Sequence, residues 1–177
     1  MQHPSFQPRQ IAFVLMLAAH FQLAAAQPAA AGPVLVGADL TQANVVKALF
    51  PQGDMRDIMR RPPSASLLIT FETNSASLTE ASRSELDVVA AALDDSKLRR
   101  FNFKVEGHAD PRGTPQSNLT LSQLRANAVR AYLVLNHAID PNRLLALGKG
   151  DREPLKPQQP AAAENRRVTF STQPLAE

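Results

Sequence analysis

The sequence predicts an α+β domain of order βαβαββ over residues 65–172, with helices packed on a mixed sheet. Three observations point to it. Two stretches alternate apolar and polar residues with a period of two, at 67–73 and 101–106. Each is followed by a stretch with helical spacing opened by a Ser/Thr-x-x-Glu/Gln signature. Two further short apolar runs then follow without a long helical pattern between them.

The elements read in order as follows. In 67–73 (LLITFET), Leu67, Ile69 and Phe71 share a face, as in a half-buried strand. Ser77 and Glu80 form a capping-box pattern, and Leu86, Val89, Ala90 and Leu93 keep helical spacing behind it. Phe101, Phe103 and Val105 alternate with Asn102, Lys104 and Glu106 in a second strand. Residues 107–117 contain Pro111, Gly113 and Pro115 and read as a loop. Thr120 and Gln123 suggest another capping box, opening a helix to about His137 with a buried stripe of Leu121, Leu124, Ala128, Ala131 and Leu135. Asp140-Pro141 starts a turn, 144–148 a third strand, 151–164 a loop with three prolines, and 166–171 (RRVTFS) a last strand with Val168 and Phe170 inward. The two βα units favour parallel pairing at the start, and the last strand makes the sheet mixed.

Residues 1–26 read as an export signal. Arg9 is their only charged side chain, IAFVLML opens the apolar region, and Ala24-Ala25-Ala26 offers a cleavage site. The apolar stretch is shorter than the roughly 20 residues of a membrane span, so no integral span is expected after cleavage. Residues 27–64 read as an Ala/Pro-rich linker. Asp39 would cap a short helix through Leu49, Pro51 and Gly53 would stop it, and RRPPS would mark the boundary. Residues 173–177 are a tail.

Composition bounds the function. The chain has 177 residues, 44% apolar and 20% charged, with a net charge of +3. No long Lys/Arg block and no aromatic series support nucleic-acid binding. Zero cysteines exclude disulfides, thiolate metal sites, a Cys nucleophile and a lipidated N-terminal Cys. There is no Gly-x-Ser-x-Gly elbow, no His-Glu-x-x-His and no phosphate loop. His108 and Asp110 lack further ligands nearby for a metal. No enzyme activity, cofactor or metal is expected.

The informative segment is 107–126, GHADPRGTPQSNLTLSQLRA. It places Asp110 on a turn at a strand exit and Arg125 fifteen residues later, at the edge of a helix stripe. An acid and a guanidinium facing one small space suit a zwitterion: Asp for the ammonium, Arg for the carboxylate. Taken singly, Asp110 can be a turn Asp bonded to backbone amides, and Arg125 a surface Arg paired with a carboxylate, Asp110 itself being a candidate. Asn118, two turns before Arg125, projects to a similar side. Asn74 lies just past strand one, at the same edge as Asp110. Of Arg166 and Arg167, only one can face the site, leaving the other for solvent.

Four segments together resemble the C-terminal peptidoglycan-binding domain shared by outer-membrane protein A, the peptidoglycan-associated lipoprotein and the flagellar stator B subunit. They are FETNSASLT (71–79), GHADPRG (107–113), NLTLSQLRA (118–126) and NRRV (165–168). The resemblance implies the βαβαββ OmpA-C-like fold and non-catalytic binding to peptidoglycan. Asp110 and Arg125 resemble the pair that holds the ammonium and carboxylate of meso-diaminopimelate in the stem peptide. Asn74, Asn118 and Arg166 match supporting positions. The sequence departs from the family at Ala109, where Thr is common, and at Gln123-Leu124, where a charged or polar pair is frequent. No β-barrel, lipidated Cys or transmembrane helix accompanies the domain, so a free-standing secreted form is expected, in the periplasm or associated with the outer membrane of a Gram-negative envelope. The other reading is an envelope protein-interaction module without peptidoglycan affinity, in which the helix at 40–49 docks on a partner.

Overall fold

The computed structural model describes residues 32–72 and 75–173. The export signal expected at 1–26 and the tail beyond Gln173 lie outside the described residues. No helix among the described residues is long and apolar enough to cross a membrane.

The strands are β1 (Val34–Leu35), β2 (Ser64–Leu67), β3 (Asn102–His108), β4 (Leu144–Gly150) and β5 (Val168–Gln173). The α-helices are α1 (Gln42–Leu49), α2 (Met55–Arg60), α3 (Glu80–Leu93) and α4 (Pro115–His137). The order from β2 onward, β2-α3-β3-α4-β4-β5, is the predicted βαβαββ. The sheet runs β1-β2-β5-β3-β4, so the last strand in sequence is the middle one in space. β5 is antiparallel to β2 and β3, while β3 and β4 are parallel. β2 and β3 therefore run the same way without touching, because β5 lies between them. Their C-terminal ends open at one edge of the domain, on either side of the start of β5 at Val168.

Central placement explains the burial of β5. Val168 and Phe170 join Phe103, Val105, Leu67, Leu86, Val89, Leu93, Val129 and Leu133 in the core. On the other face Ser66 and Thr169 satisfy each other at 2.8 Å between buried hydroxyls, as buried polar groups must.

Several local expectations are corrected. The first strand is 64–67, not 67–73; the chain leaves the sheet after Leu67, and Leu67 and Ile69 are still buried. Thr79, not Ser77, caps α3: its hydroxyl accepts from the Ser82 backbone N–H, and the Ser82 hydroxyl accepts from the Thr70 N–H. The cap of α4 is Thr114, with Pro115 in its first turn, so Thr120 lies inside the helix and donates to the Gln116 carbonyl. The buried stripe of α4 is Asn118, Ser122, Ala126, Val129 and Leu133. Two of the leucines expected there are turned outward: Leu124 is 52% and Leu135 81% exposed.

The stretch expected as a linker is partly built into the domain. β1 pairs with β2 in parallel. Thr41, not Asp39, caps α1, and Val45, Val46 and Leu49 lie in the same core. The apolar face of α1 is therefore used inside the domain. Asp54 caps the additional helix α2.

Candidate functional site

The site begins with how closely α4 lies on the sheet. A Cβ on Gly107 would stand 2.3 Å from the Ser122 carbonyl oxygen, and one on Gly148 2.6 Å from the Gln123 nitrogen. Only hydrogen at both positions lets the helix backbone come this near. Polar side chains then fasten it. The Ser122 hydroxyl accepts from the Gly150 N–H at 2.9 Å, and Gln123 accepts from the Gly148 N–H at 2.7 Å while donating to the Ala146 carbonyl. Arg125 follows on the same helix, so the backbone contact of α4 with β3 and β4 sets where it starts from.

Asp110 is placed by β3 and β5. The antiparallel register pairs Gly107 with Val168, and the His108 N–H donates to the Arg167 carbonyl. The residues just past β3 therefore lie beside the residues just before β5, which brings Arg166 to Asp110. The carboxylate is buried. Its Oδ2 accepts from Arg166 Nη1 at 2.8 Å and forms an ion pair with Arg112 Nη2 at 2.7 Å. Arg112 Nε lies 3.0 Å from both oxygens, and the Arg112 backbone N–H reaches Oδ1 at 3.3 Å. Burial opposes ionisation of Asp110, but the bonds from Arg112 and Arg166 outweigh it and bring its pKa down to about 2. The acid is thus a carboxylate at any physiological pH.

Arg125 is not the partner of Asp110, contrary to one reading of the sequence. Its Nε donates to the Ser75 carbonyl at 3.3 Å, and its guanidinium stacks 4.7 Å from the Phe71 ring centre. It is held on the loop that follows β2. Burial, and then the charge of Arg166, hold its pKa below the usual guanidinium value, while Asp110 pulls the other way. Arg125 thus sits within electrostatic range of both, half-shielded, with no carboxylate of its own among the described residues.

The remaining predicted residues divide. Asn118 is buried, and its amide donates to Asp151 at 2.9 Å. This ties the start of α4 to the chain after β4, a supporting position. Asn74 lies outside the described residues. Arg167 is buried, not solvent-facing as expected: one nitrogen reaches the Glu153 carbonyl, and burial lowers its pKa to about 10 against Glu153 and Glu106. Three residues were not singled out from the sequence. Arg112 clamps Asp110, and Phe71 carries Arg125. Asn165 is buried; its side chain donates to the Gln159 and Pro160 carbonyls and accepts from the Lys156 N–H. It folds the 156–165 loop that delivers Arg166. Its position next to Arg166 in NRRV was the available signal.

His108 points to the other side of β3. It is buried, and neither ring nitrogen has a hydrogen-bond partner among the described residues. Burial, with Arg167 and Lys149 nearby, lowers its pKa to about 3. An unfolded histidine titrates near 6.5. The unfolded chain therefore binds the extra proton between these values, and the stability present above about pH 6.5 is lost as pH falls toward 3. The expected slope from this group approaches about 1.4 kcal/mol per pH unit. Urea unfolding of His108→Phe between pH 7 and pH 4 should show a flatter acid dependence than the parent by that order.

No cluster of three or more His, Cys, Asp or Glu residues able to hold a metal occurs among the described residues. A groove of about 620 Å³ between α1 and the turn after α3, lined by Val46, Lys47, Phe50 and Lys97 among others, includes none of the site residues.

The arrangement is an α+β domain with an ionised acid at a strand exit, a half-shielded arginine on the facing helix, and two further arginines at the acid. The profile of the OmpA family matches residues 70–167, and the chain belongs to that family. It is 37% identical over 100 residues to the peptidoglycan-associated lipoprotein of Pseudomonas aeruginosa, covering 55% of this chain and 57% of that protein. It is likewise 37% identical over 100 residues to outer membrane protein A of Bordetella avium, covering 55% and 50%. The chain thus spans about half the length of these relatives. Among solved structures it is similar to the peptidoglycan-associated lipoprotein of Burkholderia pseudomallei, with 29% identity and a TM-score of 0.53, covering 61% of this chain and 89% of that one. The periplasmic domain of Helicobacter pylori MotB shares the fold at 20% identity and a TM-score of 0.54, covering 63% and 83%.

Proposed function

We propose that this chain binds peptidoglycan without catalysis, through the meso-diaminopimelate residue of the stem peptide, as a periplasmic or outer-membrane-associated protein of the Gram-negative envelope. The observation that carries this reading is the buried, ionised Asp110 at the strand edge with the half-shielded Arg125 in electrostatic range of it. The free end of meso-diaminopimelate carries an ammonium and a carboxylate on one carbon, the pair of charges these two side chains complement. Asp110 takes the ammonium, and Arg125 takes the carboxylate with its guanidinium. Arg166 stays at Asp110 and adds positive potential toward the carboxylate. Asn118 and Asn74 act as supporting residues.

The family assignment, with relatives named as peptidoglycan-associated, supports the ligand class. The alternative of a protein-docking module rested on the helix at 40–49. Val45, Val46 and Leu49 of that helix are packed in the core, so its apolar face is used within the domain.

The test is co-sedimentation of the chain with purified diaminopimelate-type sacculi. The parent should sediment, and Asp110→Ala and Arg125→Ala should stay in the supernatant with unchanged circular dichroism. Sedimentation of both variants like the parent contradicts the assignment.

A further inference from the structure

Asp110 is already occupied on both oxygens, by Arg166 and by Arg112 of its own loop. Arg166 Nη1 and Arg112 Nε donate to its Oδ2 at 2.8 and 3.0 Å, and Arg112 Nη2 lies 2.7 Å from the same oxygen. Oδ1 takes Arg112 Nε and the Arg112 backbone N–H. A carboxylate offers about four acceptor directions. A ligand ammonium, with its own donors, cannot reach this one until a guanidinium leaves.

The two arginines are not equally free to leave. Arg166 has a second anchor, the Ala161 carbonyl at 3.2 Å, on a loop that Asn165 ties down. The Arg112 side chain is 67% exposed, and among the described residues its hydrogen bonds go only to Asp110. Its backbone N–H bond to Oδ1 does not depend on the side chain and survives its departure.

We infer that Arg112 is a built-in competitor for the ligand's cation: its guanidinium closes Asp110 in the empty site and swings into solvent when a ligand ammonium takes its place. This deepens the reading above and rests on it. Binding is then an exchange of one cation for another on a permanently ionised acid. The site is never left with an unpaired buried charge, and cations that cannot also engage Arg125 gain too little to displace the clamp. Arg112 is the exposed partner, so water competes for its guanidinium and keeps the clamp weak, with about five closed sites to one open. The closed form therefore reduces apparent affinity by the fraction of open sites, a factor of about five.

The test is titration calorimetry of the full chain with a soluble stem tripeptide ending in meso-diaminopimelate, comparing the parent, Arg112→Ala, Arg112→Lys and Asp110→Asn. Arg112→Ala should bind about three- to tenfold more tightly than the parent. Arg112→Lys, which keeps the charge but loses the two-pronged grip, should fall between them. Asp110→Asn should lose binding. Arg112→Ala binding equally or more weakly, with Asp110→Asn still inactive, overturns the competitor role and makes Arg112 a direct ligand contact or a bystander. Should Arg112→Ala fail to fold, a lysine variant no tighter than the parent overturns it equally. Unchanged binding by Asp110→Asn, or none by the parent, overturns the underlying site instead.

Discussion

Replacing Asp110 with asparagine should weaken binding of a meso-diaminopimelate stem peptide by about 2–5 kcal/mol, roughly thirtyfold to several thousandfold. The amide keeps the shape and the acceptor oxygen, so steric change is small. What it removes is the charge that faces the ligand's ammonium. It also leaves Arg166 and Arg112 without their common anion, so like charges are gathered around a neutral group. The folded state should nevertheless persist. Arg112 is largely exposed, Arg166 keeps its bond to Ala161, and neither arginine belongs to the apolar core. Calorimetric titration at pH 7 reads the loss, and a thermal melt separates it from unfolding. The binding contribution of Asp110 should also survive mild acid. Its folded pKa is about 2, so the carboxylate remains charged down to that range. The stability it contributes is present above the unfolded value near 3.9 and is lost as pH falls through about 2.

Gly107→Val should give the largest change in stability. The added Cβ alone would overlap the Ser122 carbonyl at 2.3 Å and press on the Ala126 nitrogen at 3.4 Å. Both are helix backbone and cannot rotate away. Overpacking in ordinary cores costs about 1–3 kcal/mol, and a clash of backbone with a new side chain should exceed about 3 kcal/mol. The melting temperature should fall by on the order of 10 °C. The variant should also lose ligand binding where it remains folded, because lifting α4 moves Arg125 away from Asp110. A melt within about 2 °C of the parent would mean that α4 does not lie this close to β3.

These two expectations depend on features that were unequally legible in the sequence. Element order, Asp110 on its turn, Arg125 on its helix and the inward Val168 and Phe170 could all be read from spacing and turn residues. The facing side of α4 could not. A hydrophobicity pattern selects Leu121, Leu124 and Leu135, because large apolar residues are assumed to seek the core. Here the sheet presents Gly107 and Gly148, and the helix meets them with Ser122 and Ala126. Small residues on both sides win because backbone contact and the bonds of Ser122 and Gln123 replace leucine packing. The pairing of Asp110 was similarly hidden. Arg112 and Arg166 are reached through a loop conformation and an antiparallel register, neither of which is written in local periodicity. Asn165, the residue that sets that loop, reads in sequence as one more polar loop residue. α1 was recognised as a helix, but its place in the core follows from β1 and β2 pairing, which a two-residue strand does not announce.

The central claim is that Arg125 takes the ligand's carboxylate while Asp110 takes its ammonium. It is tested most directly by comparing two stem tripeptides, one with meso-diaminopimelate and one with lysine at the third position, on the parent and on Arg125→Ala. The two peptides share the side-chain amine and differ in the carboxylate beside it. The account predicts that the parent prefers the diaminopimelate peptide by about 2 kcal/mol or more, and that Arg125→Ala binds both peptides equally weakly. A parent that does not distinguish the two peptides, or a preference that survives Arg125→Ala, would contradict it.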